Sequence, residues 1–154
     1  MKRTVARSFT FNKRLTFAFR IVLGAIFVGA GIGKLLARDG FLETVTSLYL
    51  LPKSLTYFVS LGLPWAELLI GCLLIAGLFC RLIVASAISL ILLFIGANIY
   101  SLLLWGTWGE AGCGCFGDII RLGHLQALLL NGAMIVMAFV VLSGLCHPKN
   151  RGVD

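Results

Sequence analysis

Four long apolar runs, at about 16–36, 55–79, 82–105 and 125–145, are separated by short polar breaks. Each is a nearly solid block of Leu, Ile, Val, Phe and Ala. Each also reaches the ~20 residues that an α-helix needs to cross a bilayer core. Irregular backbone cannot face lipid, because its N–H and C=O groups would find no partner there. The pattern therefore predicts an all-α membrane protein, a four-transmembrane-helix bundle.

Composition agrees. The 154 residues are 60% apolar and 12% charged, and mean hydropathy is +1.03. A soluble domain has roughly 45–50% and 25%. The expected organisation is a basic N-terminal segment, 1–15, one domain over 16–145 and a tail, 146–154. The net charge of +7 would suggest nucleic acid in a soluble protein. Here the basic residues gather near span ends, and no aromatic-plus-basic sheet pattern accompanies them.

Charge instead sets orientation. Lys2, Arg3, Arg7, Lys13, Arg14, Arg20, Arg81, Lys149 and Arg151 fall on one side, nine in all, against Lys34, Arg38, Lys53 and Arg121 on the other. The positive-inside rule then predicts both termini in the cytoplasm and the 106–124 connection outside, periplasmic in a cell with two membranes. The first span exceeds the about 7–15 residues of a signal-peptide core and lacks an A-x-A site after it, so it is expected to be retained. Its Ala25, Gly29 and Gly33, four apart on one face, are expected to pack within the bundle, with homodimerisation as the alternative.

Glu67 is the acid found inside a span. A carboxylate there costs roughly 2.5–3.5 kcal/mol on insertion scales, so a partner is expected. Pro64 suits a helix start, and a break at 62–64 would place Glu67 about one turn below the outer surface. An unbroken helix would place it near the midplane. With the break, Lys34 is the natural partner. The pair is read either as a structural tie or as a proton- or quinone-contact group. Asn98 and Asn131 are expected to form interhelical hydrogen bonds, and Trp65, Trp105 and Trp108 to mark the outer interface.

Five cysteines are present. Cys72, Cys80 and Cys146 fall within or at the cytoplasmic ends of spans, where buried cysteine acts as a small hydrophobe and the cytoplasm keeps thiols reduced. Cys113 and Cys115 differ, lying as a pair in WGEAGCGCFGD (108–118) on the oxidising side. A disulfide needs Cα atoms roughly 4.4–6.8 Å apart. Gly114 permits the bend this requires of residues two apart. So small a ring closes almost no loop and would staple little, whereas strained, exposed disulfides are the labile, oxidising ones. Arg121 and His124 favour a nearby thiolate, while Glu110 and Asp118 oppose it or relay protons. Two thiolates with His124 would also suit a soft metal, although zinc sites usually carry a second ligand pair.

The stretches GAGIGKLL (29–36), LPWAELLIGCLLIAGLFCRL (63–82) and CGCFGD (113–118) resemble the DoxX-like superfamily of small four-span membrane proteins. The CxCFG element is similar to the branch of the methylamine-utilisation protein MauE. The likeness spans about 20–145. It implies a bacterial inner-membrane location and, for MauE-type proteins, a role in maturing the methylamine dehydrogenase small subunit through its periplasmic disulfides. DoxX-type relatives imply thiol redox and quinol-linked chemistry. Cys113, Cys115, Phe116 and Gly117 match the cysteine motif, and Glu67 matches its Pro-x-x-Glu setting. Quinone-coupled disulfide oxidases usually offer more than one outward cysteine pair, and this chain has one.

Three functions follow as expectations. In the first, Cys113 and Cys115 exchange disulfides with a thioredoxin-like or other periplasmic thiol protein, supported by Glu67, Lys34, Asp118, Arg121 and His124. A quinone would be the candidate electron carrier. In the second, the chain is a non-enzymatic assembly subunit or chaperone for a redox enzyme. In the third, it handles a soft metal. Lipid is the expected surround and nucleic acid is excluded.

Overall fold

The computed structural model describes residues 13–47, 52–78, 80–105 and 123–145. These form five helices: α1 (Lys13–Leu36), α2 (Arg38–Ser47), α3 (Lys53–Ala76), α4 (Cys80–Trp105) and α5 (His124–Leu145). Four are long and apolar enough to cross a membrane, at Arg14–Leu36, Ser54–Ala76, Arg81–Leu104 and Leu125–Gly144. The chain is a four-span helical membrane protein, as its hydrophobic pattern predicts.

The pattern does not predict α2. Its sequence, RDGFLETVTS, has no long apolar run and contains Gly40. It forms because α1 already supplies the first turn. The Ala37 N–H donates to Gly33 O at 3.0 Å, and the Phe41 N–H donates to Ala37 O at 3.1 Å. The four-residue ladder thus runs through the single turn residue, and α2 avoids the cost of nucleating alone.

The expected break at 62–64 is not present. α3 runs through Pro64. Proline removes the bond to the carbonyl four residues back, a loss that transmembrane helices tolerate when neighbours pack closely. Such a neighbour is present: a Cβ on Gly31 of α1 would lie 2.9 Å from Pro64 O. α3 also ends earlier than expected, at Gly77, whose φ is +76°. Its N–H reaches Leu73 O at 2.9 Å and Leu74 O at 3.2 Å, a helix stop that favours glycine.

Gly77 is needed on a second count. A Cβ there would meet the Arg20 guanidinium at 2.6 Å. Gly77→Ala should lower stability by about 1–2 kcal/mol from the left-handed backbone alone, with the displaced Arg20 adding to it. Detergent unfolding would check this, and an unchanged midpoint would contradict it.

Glycine also sets a close backbone contact between α1 and α3. A Cβ on Gly24 would come within 2.9 Å of Gly71 O, and one on Gly71 within 2.8 Å of Gly24 O. Small residues let backbones approach this closely. The expected stripe of Ala25, Gly29 and Gly33 is therefore corrected. Ala25 and Gly29 are exposed, and nothing lies within 4 Å of a Cβ on Gly29. Gly24 and Gly31, seven residues apart, take the α3-facing side, and of the expected three only Gly33 is buried.

These contacts fix directions. Gly24 faces Gly71 and Gly31 faces Pro64, so α1 and α3 are antiparallel. Gly144 of α5 lies against Thr16, so α5 also opposes α1. The N-terminal ends of α3 and α5 thus share the α2 end with the C-terminal ends of α1 and α4. Away from the α2 end the core is built on Leu23, Phe27, Leu74, Val84, Ala138 and Val141, with Thr16 Oγ1 and Arg20 Nε buried at the far rim.

Candidate functional site

Helical side chains lean toward their own N-terminus. On antiparallel α1 and α3, a residue nearer the α2 end of α1 leans inward while one deeper on α3 leans outward. Lys34 and Glu67 meet in this way. Lys34 Nζ donates to Glu67 Oε1 at 2.6 Å, with both side chains only 1% exposed. Pro64, one turn before Glu67 on the same face, is also buried and rests on Gly31. The Pro-x-x-Glu element thus presses α3 onto α1 at the height where the carboxylate needs its cation.

The predicted partner is correct, although the predicted break is not. Gly31 touches both Pro64 and Leu68, so Glu67 is level with Gly31, about 8 Å short of the end of α1 at 1.5 Å per residue. α3 starts beyond that end and packs its first turns against α2. Glu67 is therefore shallow relative to α1 without any interruption of α3.

Two aromatic rings complete the surround of the ammonium. Lys34 Nζ lies 4.8 Å from the centre of the Phe94 ring and 5.6 Å from that of Phe41. Both distances are within cation–π range. Phe41 comes from α2 and is itself buried. α2 is held further by Arg38, whose Nη2 donates to Tyr57 Oη at 3.2 Å. Neither phenylalanine is singled out by the sequence, because in an apolar run a ring facing a charge looks like any other core residue.

The other buried polar residues are Thr56, Ser60, Asn98 and Asn131. Thr56 Oγ1 donates to Pro52 O at 3.2 Å, Ser60 Oγ to Tyr57 O at 2.9 Å, and Asn98 Nδ2 to Phe94 O at 3.2 Å. Each of these three bonds stays within one helix or its cap. Asn131 Nδ2 has no hydrogen-bond acceptor among the described residues. Among the described residues, the six buried polar ones, Lys34 and Glu67 included, lie toward the α2 end, while Thr16 and Arg20, half-buried with one buried polar atom each, lie at the other.

Cys113, Cys115, Asp118 and Arg121 lie outside the described residues, as does the side chain of His124, the first residue of α5. Their flanks are described. Trp105 ends α4 and Gly123 precedes α5, both at the α2 end, and the Gly123 N–H donates to Gln126 Oε1 at 3.2 Å. Cys72 is a free thiol exposed on the surface of α3, and Trp65 also faces outward. Among the described residues no group of His, Cys, Asp and Glu is placed to hold a metal ion.

The model of the methylamine utilisation protein MauE family matches residues 12–144, from the residue before α1 to the last turn of α5. The chain belongs to the MauE family. The match includes the Lys34–Glu67 pair and the Cys113–Cys115 element. A further similarity is to Protein TlpB of Flavobacterium psychrophilum, 30% identical over 127 residues, covering 76% of the chain and 33% of that protein. The chain thus spans about a third of the length of this relative. No solved structure matches. As a MauE-family member with four apolar helices, the protein is a multi-pass membrane protein whose polar core lies at one end.

Proposed function

We propose that this MauE-family protein is a membrane-held thiol–disulfide component that helps mature a partner protein. Cys113 and Cys115 are its exchanging pair. The observation that carries the reading is the polarity of the core. Buried polar groups weaken a bundle unless they are paired, and among the described residues the six buried polar side chains lie in the half that ends where the Cys113–Cys115 segment joins α4 and α5. The family description supports a place in methylamine utilisation or a related maturation. The TlpB similarity supports a unit that works with something larger, since the matching region is one third of that chain.

In the forward step, a partner thiolate attacks one sulfur of the Cys113–Cys115 disulfide and the S–S bond breaks. A mixed disulfide forms, and the partner's second thiolate then releases the chain. Two electrons pass to the cysteine pair, the partner gains a disulfide, and protons balance between the four sulfurs. A membrane quinone or a second disulfide protein is the class of oxidant that resets the pair. The α2 end faces the outside of a bacterial inner membrane. Along the sequence, nine basic residues flank the span ends of the opposite side against four on this side, which supports that orientation. Asp118, Arg121 and His124 tune the thiols from the same connection.

The second reading is a non-enzymatic assembly subunit. It is favoured by the single outward cysteine pair, which leaves no second pair to relay electrons. One experiment separates the two. Cells are quenched in acid, thiols are alkylated, and the redox state of Cys113 and Cys115 is read by mass shift. The Cys113→Ser and Cys115→Ser proteins are screened in parallel for a trapped mixed disulfide. The redox reading expects an oxidisable pair and a covalent partner in one of the two variants. A pair that stays reduced and unreactive, with no trapped partner, leaves the assembly reading.

A further inference from the structure

We propose that the α2 half of the bundle core binds water past the Lys34–Glu67 pair to the level of Asn131. Below it, an apolar layer forms a dry plug between this half and the far rim. The protein would thus hold a hydrated blind wedge, open at one end only. The proposal does not depend on the thiol chemistry.

Asn131 lies at the foot of this half. Its side chain is only 4% exposed, and its Nδ2 has no acceptor among the described residues. Leaving such a group dry costs roughly 1–3 kcal/mol by mutational measure. Fixing a water on it costs at most about 2 kcal/mol and restores the bond. A stable internal water needs two to four polar partners, and the neighbourhood supplies them. Counting equal steps along antiparallel α5 and α1 from the Gly144–Thr16 contact brings Asn131 level with Gly29. Glu67 is level with Gly31. Each of the four long helices therefore sends at least one buried polar side chain into this half: Lys34, Glu67, Asn98 and Asn131.

The boundary is equally defined. Between this level and the far rim, where Thr16 Oγ1 and Arg20 Nε are buried, the buried side chains are Phe27, Leu23, Leu74, Val84 and their neighbours, which carry no polar atom to hold a water. Cavities with such linings stay dry. Arg20, at the far rim, is half-buried beside Gly77 and has the plug between it and Glu67. Water entering from the α2 end would therefore stop at the plug, just past the ion pair at the level of Asn131.

Hydroxyl-radical footprinting of the wild-type protein in nanodiscs tests this, because radicals made from water mark the side chains beside it. Comparing one residue type removes intrinsic reactivity. Phe94, against Lys34, should be modified at least about five-fold faster than Phe27, since only the first has polar neighbours able to hold water. A second measurement uses introduced thiols. Asn131→Cys and Ala138→Cys proteins in sealed vesicles are treated with a small, charged, membrane-impermeant thiol reagent, and the label is mapped by mass spectrometry. Asn131→Cys should react from the α2 side alone, and Ala138→Cys from neither side. Equal modification of Phe27 and Phe94 would overturn the wedge. So would labelling of Asn131→Cys from the opposite side, or no modification of either Phe94 or Asn131→Cys.

Discussion

Glu67→Leu should destabilise the protein by about 3–5 kcal/mol, because it strands the Lys34 ammonium in the bundle without its counter-charge. The geometry leaves little escape. Lys34 is 1% exposed, its Nζ sits 2.6 Å from Glu67 Oε1, and α2 covers it with Phe41. A lysine near a helix end would normally snorkel to the interface, but here the rings of Phe41 and Phe94 occupy its flanks. The double substitution Lys34→Met with Glu67→Leu should recover most of the loss, since replacing a whole buried pair by apolar residues is often neutral or better. Reversible unfolding in mixed detergent, run on all four members of the cycle, gives the coupling energy. A double variant no more stable than the worse single variant would show that the pair does not act as a unit.

Gly71→Ile should cost about 1–3 kcal/mol as overpacking, and more if α1 and α3 part completely. The first added carbon would already lie 2.8 Å from Gly24 O and 2.9 Å from Val28 N. Backbone cannot rotate away as a side chain can. Gly29→Ile, on the open surface of α1, serves as the control and should change stability by less than about 0.5 kcal/mol. The same unfolding assay compares them. Equal effects at the two sites would contradict the α1–α3 contact. Because Gly31 and Pro64 continue the same seam toward the α2 end, Gly71→Ile should also weaken the coupling between Lys34 and Glu67.

Much of this was legible in the chain, and the misses have physical causes. Four spans follow from length and hydropathy, and the Lys34–Glu67 contact follows from a lone intramembrane acid seeking a cation. Pro64 misled because proline preference is local. Its tolerance depends on Gly31, a residue of another helix that no local rule consults. Ala25 and Gly29 misled for a related reason. Spacing by four identifies a face but not which face meets a neighbour, and Gly24 with Gly31 satisfies a seven-residue spacing as well. α2 was invisible because its helicity is lent by α1 through Ala37 rather than carried by its own composition. The cysteine element is read from residue chemistry and family likeness, and Cys113 and Cys115 lie outside the described residues.

The apolar plug below Glu67 has an electrical consequence. A protein that carries a buried charge pair in an energised membrane is a candidate leak, since each polar group shortens the low-dielectric barrier an ion must cross. Here the shortening stops at about the level of Gly29. From there to the far rim, Leu23, Phe27, Leu74 and Val84 restore a barrier like that of the lipid itself. The bundle can therefore keep charge and water on one face while insulating the membrane voltage across the other half.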